Sequence, residues 1–494
     1  MDYERLPVIL KRYSFIEKMR VLQYYSKQIM NINGIELTSG QPMAWELEIF
    51  LLFAVKADEY NDNDFKGKNI NKFIEMINCI KEHQHPTLVN KIGTIEFADF
   101  LLIALGSTQF DIQTYNIYKY YRYNYFFTYV SDKIDMKKEF YKKFNVDYNS
   151  FLELGSILSF FCSLKVNLDP QILRYIILKY SKATSLLRLS RESFQKEIDK
   201  FSDSIHDYLY CVRPSYVYPF IEYNGIVNLP LPHCIPRAIT DSLLYRLTDS
   251  NSELRSLFGK NVLEDYLFEI LNKSFLFDEV LKEQCYKKKH NALKTSDVMC
   301  RKNDNYIFFE CKSTVPYAKT RCLDENYIKQ EIDKISNYVL QLYKQVRLDF
   351  KNIYNFFEND KEVIFDYNNC FGIVVLLEES YIRRELIYKD VAKKLNIDTS
   401  GDLYNWIINH IKICNLYDIE RYVFTNTDII KALKKQIKTK SPYDYVLSNS
   451  KTNSILKNDN VYSFKKNIIN SIRKITDELV KVGLLKKIKY ILSK

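Results

Sequence analysis

From residue 1 to about residue 210, apolar positions recur at helical spacing, as in Trp45 to Val55 and Phe151 to Ser163, with polar turns between. Two apolar runs between Pro214 and Pro232 then flank Asn224-Gly225, which predicts a β-hairpin. Positions 262, 263, 266, 267, 270 and 271 form one helical stripe. Phe275 to Tyr286 reads as a strand, and Lys287-Lys288-Lys289-His290 as the loop after it. Ser296 to Cys300 and Tyr306 to Lys312 carry β-branched, aromatic and sulfur side chains around the polar cluster Arg301 to Asn305, predicting a second hairpin. A helix is expected from about Glu325 to Leu348, buried through Ile328, Ile332, Ile335, Val339, Leu342 and Val346. Gln341 and Gln345 fall outside that stripe and read as surface. Phe371 to Leu377 is an apolar run of strand length, and helical patterns return beyond about residue 385.

The second hairpin carries the chemistry. With its turn centred on Asn303-Asp304, Asp297 faces Glu310 across the strands, with Cβ atoms about 5 Å apart. Lys312 shares the face of Glu310, because strand side chains alternate with a period of two. Two neighbouring carboxylates repel, and one takes a proton unless a cation lies between them. Hard divalent ions suit an all-oxygen site that keeps room for water and a phosphate oxygen. A lysine beside such an ion can orient or deprotonate a metal-bound water. The plain alternative is a surface salt bridge, but Glu310-Cys311-Lys312 ends a strongly apolar strand, where charge is unexpected without a use. On the helix upstream, Glu264 and Glu269 border the apolar stripe on opposite sides and Asp265 points away, so helical geometry does not choose between the two glutamates.

Asp297, Glu310 and Lys312, with Glu264 upstream, resemble the PD-(D/E)XK (restriction-endonuclease-like) nuclease superfamily over roughly residues 255 to 380, about a quarter of the chain. Ser296 stands where the motif has its proline, a departure that touches no ligand. The resemblance implies an α/β core of helix, three-stranded meander, helix and strand. A large, mostly α-helical N-terminal region and a helical C-terminal region would flank it. It favours Glu264, which follows Gly259, as the acidic residue of the first helix. By the same resemblance Asp297, Glu310 and the Cys311 carbonyl would hold Mg²⁺ or Mn²⁺. Lys312 would position the attacking water, and Glu264 would support that water or a second ion. Hydrolysis would leave a 5′-phosphate and a 3′-hydroxyl. DNA is the implied substrate, and a prokaryotic antiphage or restriction-like system the implied setting, with a second protein subunit or a further copy of the chain as partner. An RNA nuclease with the same site, and a non-catalytic nucleic-acid-binding or scaffold subunit, are the alternatives.

Length and charge agree with that expectation. The 494 residues divide by pattern into 1–210 (mostly helical), 211–250 (hairpin and linker), 251–380 (nuclease core) and 381–494 (helical and basic). A net charge of +11 suits an anionic partner. Lys287, Lys288 and Lys289 are candidates for contact with a nucleic-acid backbone. So is the basic amphipathic stretch Phe464 to Lys494. Tyrosines interleave with Lys119 and Arg122 between Tyr115 and Tyr129, and this reads as a half-buried helix rather than a base-stacking surface. The ten cysteines form no CxxC pair and histidines are few, which argues against zinc and for a reducing cytoplasm. The longest apolar runs, Ile49 to Val55 and Leu154 to Leu164, fall well short of a bilayer span. No phosphate-binding P-loop is present.

Overall fold

Tyr306-Ile307-Phe308-Phe309 is apolar on both faces, and such a segment is stable only in the middle of a covered sheet. The computed structural model places it there. It describes residues 1–31, 34–35, 40–59, 63–65, 69–83, 97–106, 116–166, 168, 170–288, 290–316, 318–357, 366–439 and 455–485. The chain is a mixed α/β protein in which helices predominate. Its main sheet has five strands: β1 (Glu279–Lys282), β2 (Val298–Lys302), β3 (Asn305–Lys312), β4 (Cys370–Leu376) and β5 (Ile411–Asn415). They lie in the order β5-β4-β3-β2-β1. The first three strands are antiparallel neighbours, while β3, β4 and β5 run parallel.

The alternation expected along β3 decides what covers each face. Ile307, Phe309 and Cys311 join Val298, Cys300, Phe371 and Ile373 in a core closed by Tyr266, Leu267 and Ile270 of α1 (Glu264–Asn272). Tyr306 and Phe308 join Met299 and Val374 in a second core, closed by Ile328, Ile335, Val339 and Leu342 of α2 (Glu325–Tyr343). Helix α3 (Arg384–Leu395) packs against α2, and α4 (Leu416–Phe424) follows β5 directly.

Three expectations need correction. The strand read as Phe275 to Tyr286 is only β1. The chain then forms a separate hairpin of Cys285–Lys288 with Asn291–Lys294, so Lys287 and Lys288 lie on a strand and not in a loop. Tyr286 opposite Leu293 explains it, since this cross-strand pair packs onto the α2-side core and turns its flanking residues outward. Secondly, residues 381–494 are not a separate helical region, because β5 completes the sheet through Ile411 and Ile413. Five residues with two isoleucines cannot be told from a buried helical turn by period alone. Thirdly, the boundary at 210 cuts a small three-stranded sheet in which Arg188–Ser190 runs parallel to Phe220–Tyr223 of the predicted Asn224-Gly225 hairpin.

The tyrosine-rich segment is the buried helix Asn116–Thr128; Tyr115 lies outside the described residues. On it, Arg122 grips Glu420 of α4 through both carboxylate oxygens at 2.7 and 2.6 Å, and Tyr266 of α1 donates to the same carboxylate at 2.6 Å. The N-terminal region, α1 and the C-terminal region thus share one buried polar joint. No helix among the described residues is long and apolar enough to cross a membrane.

Candidate metal centre

The β2–β3 turn is a two-residue connection with Asn303 at φ 51°, a left-handed conformation that asparagine tolerates. Its register runs from Lys302 opposite Asn305 to Val298 opposite Phe309, so Asp297 stands one step beyond the last pair, at the level of Glu310. Asp297 Oδ2 accepts the Cys311 N–H at 2.6 Å, where the next ladder bond would otherwise form. Both backbone groups of a strand residue leave on the same side. The Cys311 carbonyl therefore also faces Asp297.

Glu310 is 3% exposed. Its Oε1 accepts from Lys312 Nζ at 2.7 Å and from Gln341 Nε2 of α2 at 2.6 Å. Its Oε2 is buried with no hydrogen-bond donor among the described residues. The Lys312 ammonium lies 4.9 Å from the centre of the Tyr338 ring, and the Tyr338 hydroxyl is 3.0 Å from Thr314 Oγ1. Gln341 is therefore no mere surface residue, although its side chain is exposed, and Gln345 is buried with its amide donating to the Lys294 carbonyl. The helical stripe marked which residues face the core; it could not show that a long amide at the rim reaches over the end of β3.

Glu264 comes from the other side of the sheet. The turn before it, Phe258–Leu263, is a wide π-turn, and the Glu264 N–H bonds to the Gly259 carbonyl. Such bulges rotate the rest of the helix about its axis, resetting which residues point inward. Gly259 packs closely on the exit of β3: a Cβ there would sit 2.8 Å from Ser313 Oγ and 3.2 Å from Ser313 Cβ, so a larger residue would have to push the Ser313 side chain aside. Of the acidic residues on α1, Asp265 is taken by Tyr129 and Lys282, and Glu269 by Tyr125 and Lys273. Glu264 interacts electrostatically with Asp297 and Glu310.

The carboxyl groups perturb one another accordingly. Burial, then the charges of Glu283 and Glu310, push Glu264 up to about 7. Burial followed by Glu310 and Glu264 holds Asp297 well above the usual carboxylate range, against the pull of the Cys311 N–H. Glu310 is raised by burial and drawn back by Lys312 and Gln341. Lys312 would lose its proton more readily by burial, but the Glu310 carboxylate outweighs that and raises it. Glu283 was not singled out in the sequence. It follows β1, pairs with Lys294 and adds a fourth carboxylate to the field. Nothing in the local pattern marks it, because its nearness depends on where the Cys285–Lys288 hairpin leaves the sheet.

No protein-family model, curated protein or solved structure matches this chain.

The residues suit a hard divalent cation by the chemistry of their donors: clustered carboxylates resisting ionisation, one buried oxygen without a donor, and a carbonyl on the same side. The basic candidates fare unevenly. Lys287 is exposed, Lys288 is committed to Asp349, and Lys289 lies outside the described residues. Helix Asp459–Lys481 buries Ile472, Ile475 and Leu479 and leaves Lys466, Lys474 and Lys481 exposed; positions 486–494 lie outside the described residues. A second cluster, Glu48, His233 and Cys234, also gathers potential ligands. There His233 already contacts Ser26 at 2.7 Å and Glu48 at 3.0 Å, and Tyr216 donates to Glu48 at 2.6 Å. That is a closed polar network in the core, with the cations of Arg213 and Arg237 beside it.

Proposed function

We propose that the chain is a metal-dependent nuclease that hydrolyses phosphodiester bonds of DNA, serving as the effector of a prokaryotic antiphage or restriction-like defence system. The single observation that carries the chemistry is the buried Oε2 of Glu310, without a donor among the described residues, beside Asp297 and Lys312. A buried carboxylate oxygen without a partner is expensive, and a bound cation removes that expense. The order of elements supports the same reading: α1, the antiparallel β1, β2 and β3, then α2 and the parallel β4 follow the sequence of the superfamily's core.

Asp297, Glu310 Oε2 and the Cys311 carbonyl would hold Mg²⁺ or Mn²⁺, with Glu264 supporting a bound water or a second ion. When bound, the ion supplies Lewis-acid stabilisation of charge on the phosphate and a more acidic water. Lys312, paired with Glu310 and placed over the Tyr338 ring, would position the attacking water. Gln341 fixes the Glu310 oxygen that Lys312 uses, leaving the other for the cation. Water adds to phosphorus as the bond to the 3′ oxygen breaks, giving a 5′-phosphate and a 3′-hydroxyl.

The test is cleavage of supercoiled plasmid and of single-stranded RNA by the full chain and by Lys312→Ala and Glu310→Gln, each with Mg²⁺ and with chelator. Nicking of plasmid by the unaltered chain with Mg²⁺ alone is expected, with losses of at least about a hundredfold in both variants. Equal activity in Glu310→Gln would overturn the assignment, and cleavage of RNA only would transfer it to RNA.

A further inference from the structure

Away from the carboxylate cluster, a cleft of about 780 Å³ opens between helix Phe15–Gln28, helix Pro170–Lys179 and the hairpin strand Ile226–Asn228. That volume falls within the roughly 300–1,000 Å³ typical of small-molecule sites. Ile16, Met19, Leu173 and Ile177 give it an apolar floor. Tyr24, Leu178 and Ile226 at its edge are 54%, 63% and 49% exposed, three large apolar side chains gathered around one opening.

The charges that the described residues bring to it are of one sign. Arg20, Lys27, Arg174 and Arg188 line it, and no acidic residue among the described ones does. Two of the four are satisfied at the rim, Arg20 by Glu17 at 2.5 Å and Arg188 by Glu222 at 3.4 Å. Lys27 differs. It is 7% exposed, its ammonium has one acceptor, the Val166 carbonyl at 3.3 Å, and no carboxylate among the described residues pairs with it. Burial lowers its pKa, the expected response of a charge without a counter-ion. Neighbouring Lys165 does not share this state, because its ammonium is taken up by the carbonyls of Lys27, Gln28 and Met30 at the end of the first helix. Arg174 is exposed and forms no ion pair among the described residues. An ammonium that no carboxylate among the described residues pairs, beneath an apolar cleft, is costly to keep unless an anion comes to it.

We propose that this cleft binds an anionic amphiphile, whose carboxylate or phosphate head pairs with Lys27 and Arg174 while its apolar body lies on Ile16, Met19, Leu173 and Ile177. The site is independent of the metal centre and stands whether or not the chain cleaves nucleic acid.

The test is displacement of 1-anilinonaphthalene-8-sulfonate from the full chain by dodecanoate, dodecyl phosphate and dodecanol, with stoichiometry from calorimetry. One molecule per chain is expected, with at least one anion binding about tenfold tighter than dodecanol. The tighter of the two anions identifies the head group. Lys27→Met should bring the anions level with the alcohol, and Arg174→Glu on the exposed rim should weaken the anions about threefold or more. Absence of saturable binding, or dodecanol binding as tightly as both anions, overturns the proposal. So does an unchanged preference in Lys27→Met that melts like the unaltered chain. Should Lys27→Met fail to fold, an unchanged preference in Arg174→Glu overturns it instead. Displacement by an acidic amphipathic peptide but by neither small anion would make the cleft a protein-docking groove and sink the small-molecule assignment.

Discussion

Replacing Glu264 with glutamine should stabilise the metal-free protein at alkaline pH and do nothing useful for it in acid. Glu264 titrates at about 7 in the fold against an ordinary 4.5. Between those two values the folded chain holds a proton that the unfolded chain releases. Stability therefore declines as pH rises through that window, and the loss is complete above it. A gap of about 2.5 units corresponds to about 3.4 kcal/mol at 1.36 kcal/mol per unit. The group is only half-buried, so solvent screening brings the expected figure to about 1–2 kcal/mol. Unfolding entropy for a chain of this length is about 1 kcal/mol per kelvin, which turns the figure into a rise of about 1–2 °C in Tm. Scanning calorimetry with chelator at pH 8 and pH 5 reads it directly: Glu264→Gln should melt above the unaltered chain at pH 8 and level with it at pH 5. Adding Mg²⁺ at pH 8 should raise the Tm of the unaltered chain and leave that of Glu310→Gln nearly where it was. A lower Tm for Glu264→Gln at pH 8 would refute the idea that this carboxylate is strained by its neighbours.

Cleavage with Mg²⁺ should fall as pH drops below about 7, well above the ordinary carboxylate range, because Glu264, Asp297 and Glu310 must all ionise around the cation; a pH–rate profile from 5 to 9 checks it. Gln341→Ala removes one of two donors to Glu310 Oε1 and should lower kcat/KM about tenfold, measured on the plasmid substrate. Tyr338→Leu should reduce kcat about threefold with KM unchanged, and Tyr338→Phe, which keeps the ring under Lys312, should restore most of it. Arg122→Ala strands the fully buried Glu420 carboxylate and should cost about 3–5 kcal/mol in urea denaturation, or prevent soluble expression.

How much of the fold and the site was legible in the residues depends on how local each cause is. The β2–β3 hairpin, its Asn303-Asp304 turn and the level of Asp297 with Glu310 come from a few adjacent residues with a period of two, and the register obeys that rule. The long stripe of α2 and the apolar run of β4 were equally plain, because many residues vote in each. What escaped is what one residue decides, or what a distant element supplies. β5 is too short for its period to speak, the Cys285–Lys288 hairpin turns on a single Tyr286–Leu293 pair, and Glu283 joins the cluster only because that hairpin departs where it does. Helical spacing alone left Glu264 and Glu269 open; the resemblance chose Glu264, and Tyr125, 144 residues away in sequence, occupies Glu269.

The joint between Arg122, Glu420 and Tyr266 has a practical corollary for anyone wishing to transplant the carboxylate cluster. A fragment trimmed to residues 251–380 would amputate both halves of that clasp and the fifth strand with them, baring apolar edges that invite aggregation. The smallest portable piece must carry the helix at 116–128 as a second chain or a fused segment, and must run on at least through residue 424.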